Sequence, residues 1–450
     1  MNSGLKISPI GVKPRGDFVE KIKYSCDADL IGSYDIAVIG GGPAGVCAAI
    51  EAARNGAKTV LIEGSGMLGG MATTALVGPF MTSYDRDGQH RIVKGLFEEI
   101  VSRTEKINGA IDPAKCDAPS IYTSFISEYH KHTTPFDSFA LQLTLDDMIK
   151  ESGVDLLLYT RYIDSILKDE KIEAVILDAL QGVVSVRAKQ FIDCTGIAAL
   201  AHKSGVKTVK GDEKGNSAQP ATLFFEVAGV DDNAYSKRPK IPVKAYKMPQ
   251  KGRYKVNHYR VFDVDATNSI SMTNAHIQAR KQVLEAYKTL KNEKGFENSQ
   301  IIQVAPVLGS RESRHIDGYY CLTVKDICDG AVFDDSICVF GYGMDVHPRK
   351  LDMPGGFHGK SANMYEIPYR CMIPHGCDNL LIAGKTVCAE SQAAGSLRVM
   401  PACMAMGQAA GAAAAIAVKN GKKPADISTE ELRFLLRSHG AVIDIDEFAH

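Results

Sequence analysis

The feature that most constrains this chain is a glycine-rich turn after a short apolar segment. Residues 34–39 (Tyr-Asp-Ile-Ala-Val-Ile) are rich in β-branched side chains, which predicts a buried strand. Gly40, Gly42 and Gly45 follow directly, with the spacing Gly-x-Gly-x-x-Gly. In such a turn the first glycine permits a tight bend, the second lets the backbone approach a pyrophosphate, and the third lets a helix pack on the strand.

The segments after the turn complete a strand–helix–strand unit of about 30 residues. Residues 46–55 have helical composition and end at Gly56, a common C-terminal cap. Residues 59–62 (Thr-Val-Leu-Ile) predict a second strand, which ends at Glu63, 23 residues after Gly40. A carboxylate at this place accepts hydrogen bonds from ribose hydroxyls, so the unit predicts dinucleotide binding.

Composition excludes several classes of protein. The chain has 450 residues, 45% hydrophobic and 23% charged, which is typical of a globular protein and not of a collagen or a disordered chain. Lys and Arg number 52 and Asp and Glu 53. This balance argues against a dedicated nucleic-acid-binding protein, which usually has a basic excess.

The cysteines and the N-terminal segment favour a cytoplasmic location. The 11 cysteines include no C-x-x-C pair, so a zinc ribbon, an iron–sulfur cluster and a thioredoxin-like dithiol lack support. Residues 1–34 contain no apolar signal-peptide core. Residues 399–418 are apolar but consist mostly of small side chains that bury little area, so they predict a closely packed internal helix and not a membrane span.

The remaining segments predict a chain that leaves the first domain and later returns to it. Residues 182–186 and 190–194 predict two strands, the first of them in a β-meander. Residues 379–383 predict a late strand, and an Ala-rich helix starts at Pro401. The predicted organisation is a discontinuous first domain (30–80, 141–210 and 378–420), an excursion (81–140), a mostly β substrate domain (211–377) and a C-terminal helical tail (421–450).

Two further segments predict contacts with a long dinucleotide. Residues 64–73 are glycine-rich and directly follow Glu63, so their backbone can approach a second part of a cofactor. Gly384 follows the late strand, and Pro401 stands in the first turn of the next helix, where proline costs no hydrogen bond. N–H groups at that helix N-terminus would stabilise negative charge on a reduced flavin. A flexible connector and a plain structural helix are the alternative interpretations.

Together these motifs resemble the FAD-dependent oxidoreductase family of the glutathione-reductase-type flavoproteins. The resemblance covers about residues 30 to 420 and implies FAD as cofactor. It also implies an α/β fold with a three-layer, Rossmann-like FAD-binding domain built from discontinuous segments, and a second, mostly β substrate domain. The segments that carry it are Tyr34–Gly45 with Glu63, Leu68–Thr73, Asp193–Gly196, Arg311–Tyr320 and Asn379–Gly411, which contains Gly395-Ser-Leu-Arg-Val-Met-Pro401.

The resemblance implies a role toward FAD for individual residues. The pyrophosphate would be held by Gly40, Gly42, Pro43, Ala44 and Gly45, and the adenosine ribose by Glu63. The ribityl and flavin side would be lined by Gly69, Gly70, Met71 and Thr73. The adenosine half would meet Tyr162 (through its backbone), Thr195 and Gly196. The isoalloxazine would be enclosed by Gly384, Gly395, Ser396, Arg398, Val399 and Met400. Lys385 departs from the pattern, because relatives often have Arg or an acid there.

The residues that do the chemistry carry a weaker signal. A hydride leaving a C–H bond needs a base for the accompanying proton or a cation for a developing oxyanion. Arg311 and Arg314 are the candidate cations, and His347 and His358 the candidate bases. The alternative interpretation is an interface ion pair for the arginines and surface loops for the histidines. Asp345 with these histidines resembles a metal-ligand set, but nothing else supports one, so no metal is predicted.

The predicted function is FAD-dependent oxidation or reduction of a small organic substrate by hydride transfer at flavin N5. The sequence has no second unit of strand, Gly-x-Gly-x-x-Gly, helix and acid, so no bound NAD(P)H domain is predicted, and the unknown electron acceptor would be a small molecule, another protein or dioxygen. The alternatives are a flavoenzyme without net redox change (an isomerase, a hydratase or a thiazole-synthase-like protein) and a non-catalytic FAD-binding subunit. No nucleic-acid or membrane partner is predicted, and the substrate, the oligomeric state and covalent attachment of the flavin stay open.

Overall fold

A mixed seven-stranded sheet and a four-stranded antiparallel sheet organise the fold. The computed structural model describes residues 22–116, 132–214, 218–235, 243–351 and 359–448. Within these ranges the strands are β1 (Asp29–Ile39), β2 (Thr59–Ile62), β3 (Asp155–Leu157), β4 (Arg161–Lys168), β5 (Lys171–Ala179), β6 (Gly182–Asp193), β7 (Thr208–Lys210), β8 (Phe225–Ala228), β9 (Ala245–Lys247), β10 (Tyr254–Val256), β11 (Gln300–Val304), β12 (Arg314–Ile316), β13 (Ser336–Phe340), β14 (Tyr365–Pro368) and β15 (Leu380–Ile382). The helices are α1 (Pro43–Arg54), α2 (Leu96–Lys106), α3 (Ser138–Glu151), α4 (Ala199–Lys203), α5 (Asp232–Tyr235), α6 (Ser269–Lys291), α7 (Val324–Asp329), α8 (Ala394–Leu397), α9 (Met400–Asn420) and α10 (Thr429–Ser438).

The centre of the mixed sheet is the parallel unit that the glycine turn predicted. The strand order is β3-β2-β1-β6-β5-β4, and β15 also pairs with β6. β1 runs parallel to β2, with Ile36 opposite Thr59, and parallel to β6, with Ile39 opposite Asp193. α1 connects β1 to β2, as a right-handed strand–helix–strand unit requires. The predicted α/β class with a parallel sheet is confirmed.

Strand β6 belongs to two parts of this sheet. Residues 182–187 pair antiparallel with β5, and residues 191–193 pair parallel with β15. The sequence predicted two strands here, at 182–186 and 190–194, and this division is wrong. The two segments form one strand because β1 pairs with β6 along nearly its whole length.

Helices α1 and α9 pack against each other through small residues. A Cβ on Gly407 would lie 2.1 Å from the carbonyl oxygen of Ala44, and a Cβ on Gly411 would lie 2.3 Å from that of Ala48. Only glycine permits this approach of the two backbones. Among the described residues, α9 is the one helix long and apolar enough to span a membrane, and 89% of its apolar segment is buried inside the protein. The predicted closely packed internal helix is confirmed.

The second sheet has its own hydrophobic core. Its strand order is β11-β8-β10-β9, and α6 contributes Ala279 and Val283 to the same core. This core consists of Leu76 and of buried hydrophobic side chains among the described residues between Ala221 and Leu308. The buried hydrophobic side chains described between Ile316 and Cys377 belong to the core of the mixed sheet instead, so the self-contained β unit is narrower than the predicted substrate domain of 211–377.

Candidate functional site

A cavity of about 690 Å³ lies where the two sheets meet, a size typical of cofactor and substrate sites. Its walls come from the turn after β1, the N-termini of α1 and α9, the second sheet, and the loop 342–347. We call the end at Gly42 and Glu63 the nucleotide end, because the sequence predicts dinucleotide binding there, and we call the end at Arg260 and His347 the substrate end. The predicted cofactor residues that line it are Gly40, Gly42, Pro43, Ala44, Glu63, Gly70, Met71, Thr195, Gly196, Gly384, Arg398, Val399 and Met400.

The three glycines of the turn have the geometry that their spacing predicts. Gly40 has a φ of +103°, and a Cβ there would lie 2.6 Å from the carbonyl oxygen of Cys194. A Cβ on Gly45 would lie 1.8 Å from the carbonyl oxygen of Gly40. Around Gly42 no atom lies within 4 Å of a Cβ, so its backbone is open to the cavity. The turn therefore offers a phosphate an open approach to the first turn of α1.

Glu63 is held in one orientation beside this turn. Its Oε2 accepts a hydrogen bond from the N–H of Gly41 at 2.7 Å, and its Oε1 accepts one from the N–H of Ser65 at 2.7 Å. A carboxylate oxygen accepts more than one hydrogen bond, so both oxygens keep capacity for ribose hydroxyls.

Both helices that point at the cavity begin without a side-chain cap. Gly42 occupies the N-cap position of α1 and Val399 that of α9, and neither side chain makes a capping hydrogen bond. Neither first turn carries an acidic residue. The unpaired N–H groups and the positive end of each helix dipole thus remain available to negative charge. An open pyrophosphate approach, a fixed ribose acceptor and a second helix N-terminus along one cavity fit FAD.

Six predicted cofactor residues lie outside the cavity lining. Gly45 closes the turn, as described above. Gly69 donates its N–H to the carbonyl of Gly41 at 2.8 Å, and the Thr73 hydroxyl donates to the carbonyl of Leu68 at 2.5 Å, so these two shape the glycine loop. Their contact with FAD stays a prediction.

The other three are Gly395, Ser396 and Tyr162. A Cβ on Gly395 would lie 3.1 Å from the carbonyl oxygen of Asp345, and the buried Ser396 hydroxyl hydrogen-bonds that of Tyr365 at 2.6 Å. The Ser396 hydroxyl also donates to the carbonyl of Tyr342, so Gly395 and Ser396 both support the loop 342–347 from behind. Tyr162 lies on β4, away from the lining, and its predicted backbone contact with adenine stays a prediction.

The structure separates the four predicted catalytic residues. Arg311 and His347 line the cavity together. Arg314, on β12, lies outside the lining and donates from Nη1 to the carbonyl of Ile197 at 3.0 Å. His358 lies outside the described residues.

The Arg311 guanidinium already makes hydrogen bonds within the protein. Its Nη1 donates to the carbonyl of Pro220 and to the hydroxyl of Thr222, each at 2.7 Å. Burial and the neighbouring Arg398 lower the pKa of Arg311 to about 9, so the guanidinium stays charged at neutral pH. It supplies positive charge to the substrate end while its position is fixed.

His347 and Asp345 form a pair at the substrate end. Nε2 of His347 lies 3.3 Å from Oδ2 of Asp345, and that carboxylate also accepts from Nη2 of Arg398 at 3.0 Å. The His347 N–H donates to Oε1 of Gln219 at 3.0 Å, which holds the backbone of the loop. Asp345 lies deep in the molecule, yet 40% of its side chain is accessible because it faces the cavity.

The charges around this pair set its protonation. Burial and the positive charge of Arg311 lower the pKa of His347 to about 3, although Asp345 acts in the opposite direction. Burial alone would raise the pKa of Asp345, but the hydrogen bond with His347 and the charges of Arg398 and Arg311 lower it well below its usual range. At neutral pH the imidazole is therefore neutral and the carboxylate charged.

Sequence reasoning missed several polar residues of the lining. Lys244, Tyr246, Asn257 and Arg260 all come from the second sheet and the segment after it. No motif marks them, since only the pairing of β9 and β10 brings their segments together. Lys385, the departure from the family pattern, donates from Nζ to the carbonyl of Ser310 at 2.8 Å, and burial lowers its pKa to about 8.

A comparison with sequence models of protein families identifies the family of this chain. Residues 35–436 match the sequence model of the family described as FAD dependent oxidoreductase. Mitochondrial dihydrolipoyl dehydrogenase of Schizosaccharomyces pombe is 50% identical over 52 residues, which span 12% of this chain and 10% of that relative's length.

Two solved structures are similar over most of the chain. A geranylgeranyl bacteriochlorophyll reductase-like protein from Thermoplasma acidophilum has a TM-score of 0.46 and 14% identity, with 92% of this chain and 84% of that one covered. L-proline dehydrogenase from P. horikoshii has a TM-score of 0.44 and 15% identity, with 90% and 98% covered.

Proposed function

The chain belongs to the FAD dependent oxidoreductase family, with FAD as its cofactor, and we propose that it transfers a hydride between flavin N5 and a small organic substrate in the cavity described above. One observation carries this proposal. The residues suited to a dinucleotide and the Asp345–His347 pair line a single continuous cavity.

When bound, FAD supplies a two-electron acceptor for a hydride. The chain supplies positioning, charge and a place for the accompanying proton. His347 is neutral, so a ring nitrogen can accept that proton from a substrate hydroxyl or amine. Asp345 orients the ring and stabilises the imidazolium that results, the role that a buried carboxylate has beside a catalytic histidine.

The low pKa of His347 adds a condition to this role. A base with a pKa of about 3 accepts protons poorly at neutral pH. Its pKa is held down by burial and by Arg311, and a negative charge placed beside these groups would raise it toward neutrality. His347 is thus a base that a bound anionic group activates.

The test is anaerobic reduction of the bound flavin by a panel of small hydroxy and amino compounds, and the loss of flavin absorbance measures the reduction. With a compound that reduces the flavin, His347→Asn lowers the reduction rate by about 10²- to 10⁴-fold, the usual contribution of a general base. His202→Asn, an exposed histidine on α4 outside the cavity lining, is the matched control and keeps the wild-type rate, whereas an equal loss in His358→Asn alone would assign the base to that residue. A full rate in His347→Asn contradicts the assignment, and turnover with flavin reduced beforehand and no acceptor favours a reaction without net redox change.

A further inference from the structure

The substrate end of the cavity carries an excess of positive charge, and we infer that its substrate is an organic oxyanion, most simply a carboxylate, bound by the guanidinium of Arg260. This inference rests on the proposed function, because it names the substrate class of the same site.

Four cations surround the substrate end, and one carboxylate opposes them. The cations are Lys244, Arg260, Arg311 and Arg398, and the carboxylate belongs to Asp345. The four are close enough for their charges to act on one another, since Arg260 lowers the pKa of both Lys244 and Arg311. His347 is neutral, so it does not change the net charge at the substrate end. A reduced flavin adds one negative charge at most, so a net positive charge remains.

Arg260 is the member of this set whose guanidinium has no hydrogen-bond partner among the described residues. Arg398 donates to Asp345, and Arg311 donates to Pro220 and Thr222. Within the described parts of the chain, no hydrogen bond from the Arg260 guanidinium is present, and its buried Nε has no partner at all. The other two nitrogens of this guanidinium are not buried, so the cavity presents a charged group of donors that is open to a ligand.

The geometry of the group favours a carboxylate as its ligand. Guanidinium is a planar fork of donors that matches a carboxylate with two parallel hydrogen bonds. The pyrophosphate of FAD has its own place at the other end of the cavity, where Gly42 opens onto the N-terminus of α1. An anion on Arg260 would also offset Arg311 and thereby raise the pKa of His347, which links substrate binding to the activation of the base.

The test compares benzoate with benzamide, which have the same size and differ in charge. Each is titrated into the FAD-loaded protein, and binding is followed by the change in the flavin absorption spectrum and by calorimetry. We expect benzoate to bind at least about tenfold more tightly than benzamide. Phenylphosphonate distinguishes the two oxyanion classes, and it binds more weakly than benzoate if the site is built for carboxylates. Equal binding of benzoate and benzamide overturns the inference.

Variants locate the binding residue. Arg260→Gln abolishes the preference for benzoate, and Arg260→Lys keeps part of it because the charge remains and the fork is lost. Arg280→Gln, on the exposed face of α6, removes one charge elsewhere and keeps wild-type binding. Flavin content and melting temperature show that the variants fold. Wild-type benzoate affinity in Arg260→Gln contradicts the inference, whereas anion binding without any reducing substrate leaves it standing and counts against the proposed function.

A different observation concerns two cysteines outside the cavity, and we infer that Cys321 and Cys388 form a reversible disulfide. Their segments lie side by side, since the Leu322 N–H donates to the carbonyl of Cys388 at 3.1 Å and the Glu390 N–H donates to that of Leu322 at 2.9 Å. These hydrogen bonds form a parallel bridge between Leu322 and Ala389. The residues that precede them, Cys321 and Cys388, therefore also lie opposite each other.

The two thiols are near enough to influence each other's ionisation, and Cys321 is exposed. The neighbouring Cys321 thiol lowers the pKa of Cys388 to about 7, so a thiolate is present at neutral pH. Neighbouring extended segments that are bridged in this way lie about 4.8 Å apart, which is within the Cα range of disulfides. In the exchange the two thiols lose two electrons and two protons as the S–S bond forms, and a small-molecule disulfide is reduced to two thiols.

The test is incubation of the native protein with oxidised glutathione, then alkylation in denaturant and peptide mapping without reductant. We expect two of the 11 thiols to become protected, one Cys321–Cys388 crosslink, and full recovery with dithiothreitol. Cys321→Ser abolishes the crosslink, and Cys328→Ser, a partly exposed thiol on α7, leaves it intact. A stable glutathione adduct on Cys321, or 11 thiols that remain reactive, overturns the inference.

Discussion

The two ends of the cavity differ in the part of the chain that builds them. The nucleotide end uses backbone: a glycine at φ +103°, an open backbone at Gly42 and the uncapped N-terminus of α1. The substrate end uses side chains from distant segments, such as Arg260, Arg311 and His347. Backbone geometry needs particular residues at fixed spacing, whereas side chains reach a common point from many positions. The nucleotide end can therefore be predicted from a sequence motif, whereas the substrate end can be identified only in the folded structure.

The largest expected effect comes from adding one carbon to the nucleotide end. Gly45→Ala places a Cβ 1.8 Å from the carbonyl oxygen of Gly40. Both atoms belong to the backbone of the turn, so neither can move away without a change in the turn itself. We expect a loss of about 3 kcal/mol in the free energy of unfolding and loss of stable FAD binding. Urea denaturation and flavin content measure both.

The matched control for this change is Gly56→Ala, at the other end of α1. Its φ of +84° strains any side chain, but no atom lies within 4 Å of the new Cβ. The expected cost is about 1 kcal/mol, with FAD still bound. Equal effects at the two glycines would contradict the close-packed turn.

The next effect is at the substrate end and leaves the nucleotide end intact. Asp345→Asn keeps an acceptor for Arg398 but turns a donor toward His347, which favours the wrong tautomer. We expect flavin reduction to slow by about 10²- to 10⁴-fold, with FAD affinity unchanged. Stopped-flow absorbance measures the rate, and Asp334→Asn, whose side chain is 92% exposed, is the control. A loss of FAD without a loss of rate would reverse the assignment of the two ends.

A smaller effect is expected from Glu63→Gln. The amide nitrogen of Gln would face the N–H of Gly41 or Ser65, which both donate to the carboxylate. We expect the dissociation constant of FAD to rise by about 10- to 100-fold, because a charged acceptor is replaced by a mismatched neutral one. Flavin fluorescence quenching measures this constant, and Glu430→Gln on α10 should leave it unchanged.

The smallest effect depends on pH and on Lys385. Its pKa of about 8 lies below the ordinary value for lysine, so the ammonium is charged below pH 8 and loses its proton as the pH rises through that value. We expect the affinity for the FAD anion to fall a few-fold across this range. Lys385→Met has the lower affinity already at pH 7 and shows no such step. A step of the same size in the variant would assign it to another group.

The sequence could predict what depends on local spacing. The glycine turn, Glu63 and the start of α9 all follow from short-range patterns, and the structure places them along one cavity. Arg311 and Arg314 show where such reasoning stops. They lie three residues apart in the sequence. Arg314 belongs to β12 and donates a hydrogen bond to the carbonyl of Ile197, whereas Arg311 precedes that strand and lines the cavity. Arg260 carries no local signal, because its place depends on pairings outside its own segment, such as the bridge between the neighbouring Val261 and Ala221.

The most direct test of a cavity with two separable ends is the dissociation constant of FAD for the wild type, Glu63→Gln and Arg260→Gln. The account predicts tight binding by the wild type, a rise of about 10- to 100-fold in Glu63→Gln, and a change of no more than about twofold in Arg260→Gln. Failure of the wild type to bind FAD, or equal weakening by the two variants, would contradict it.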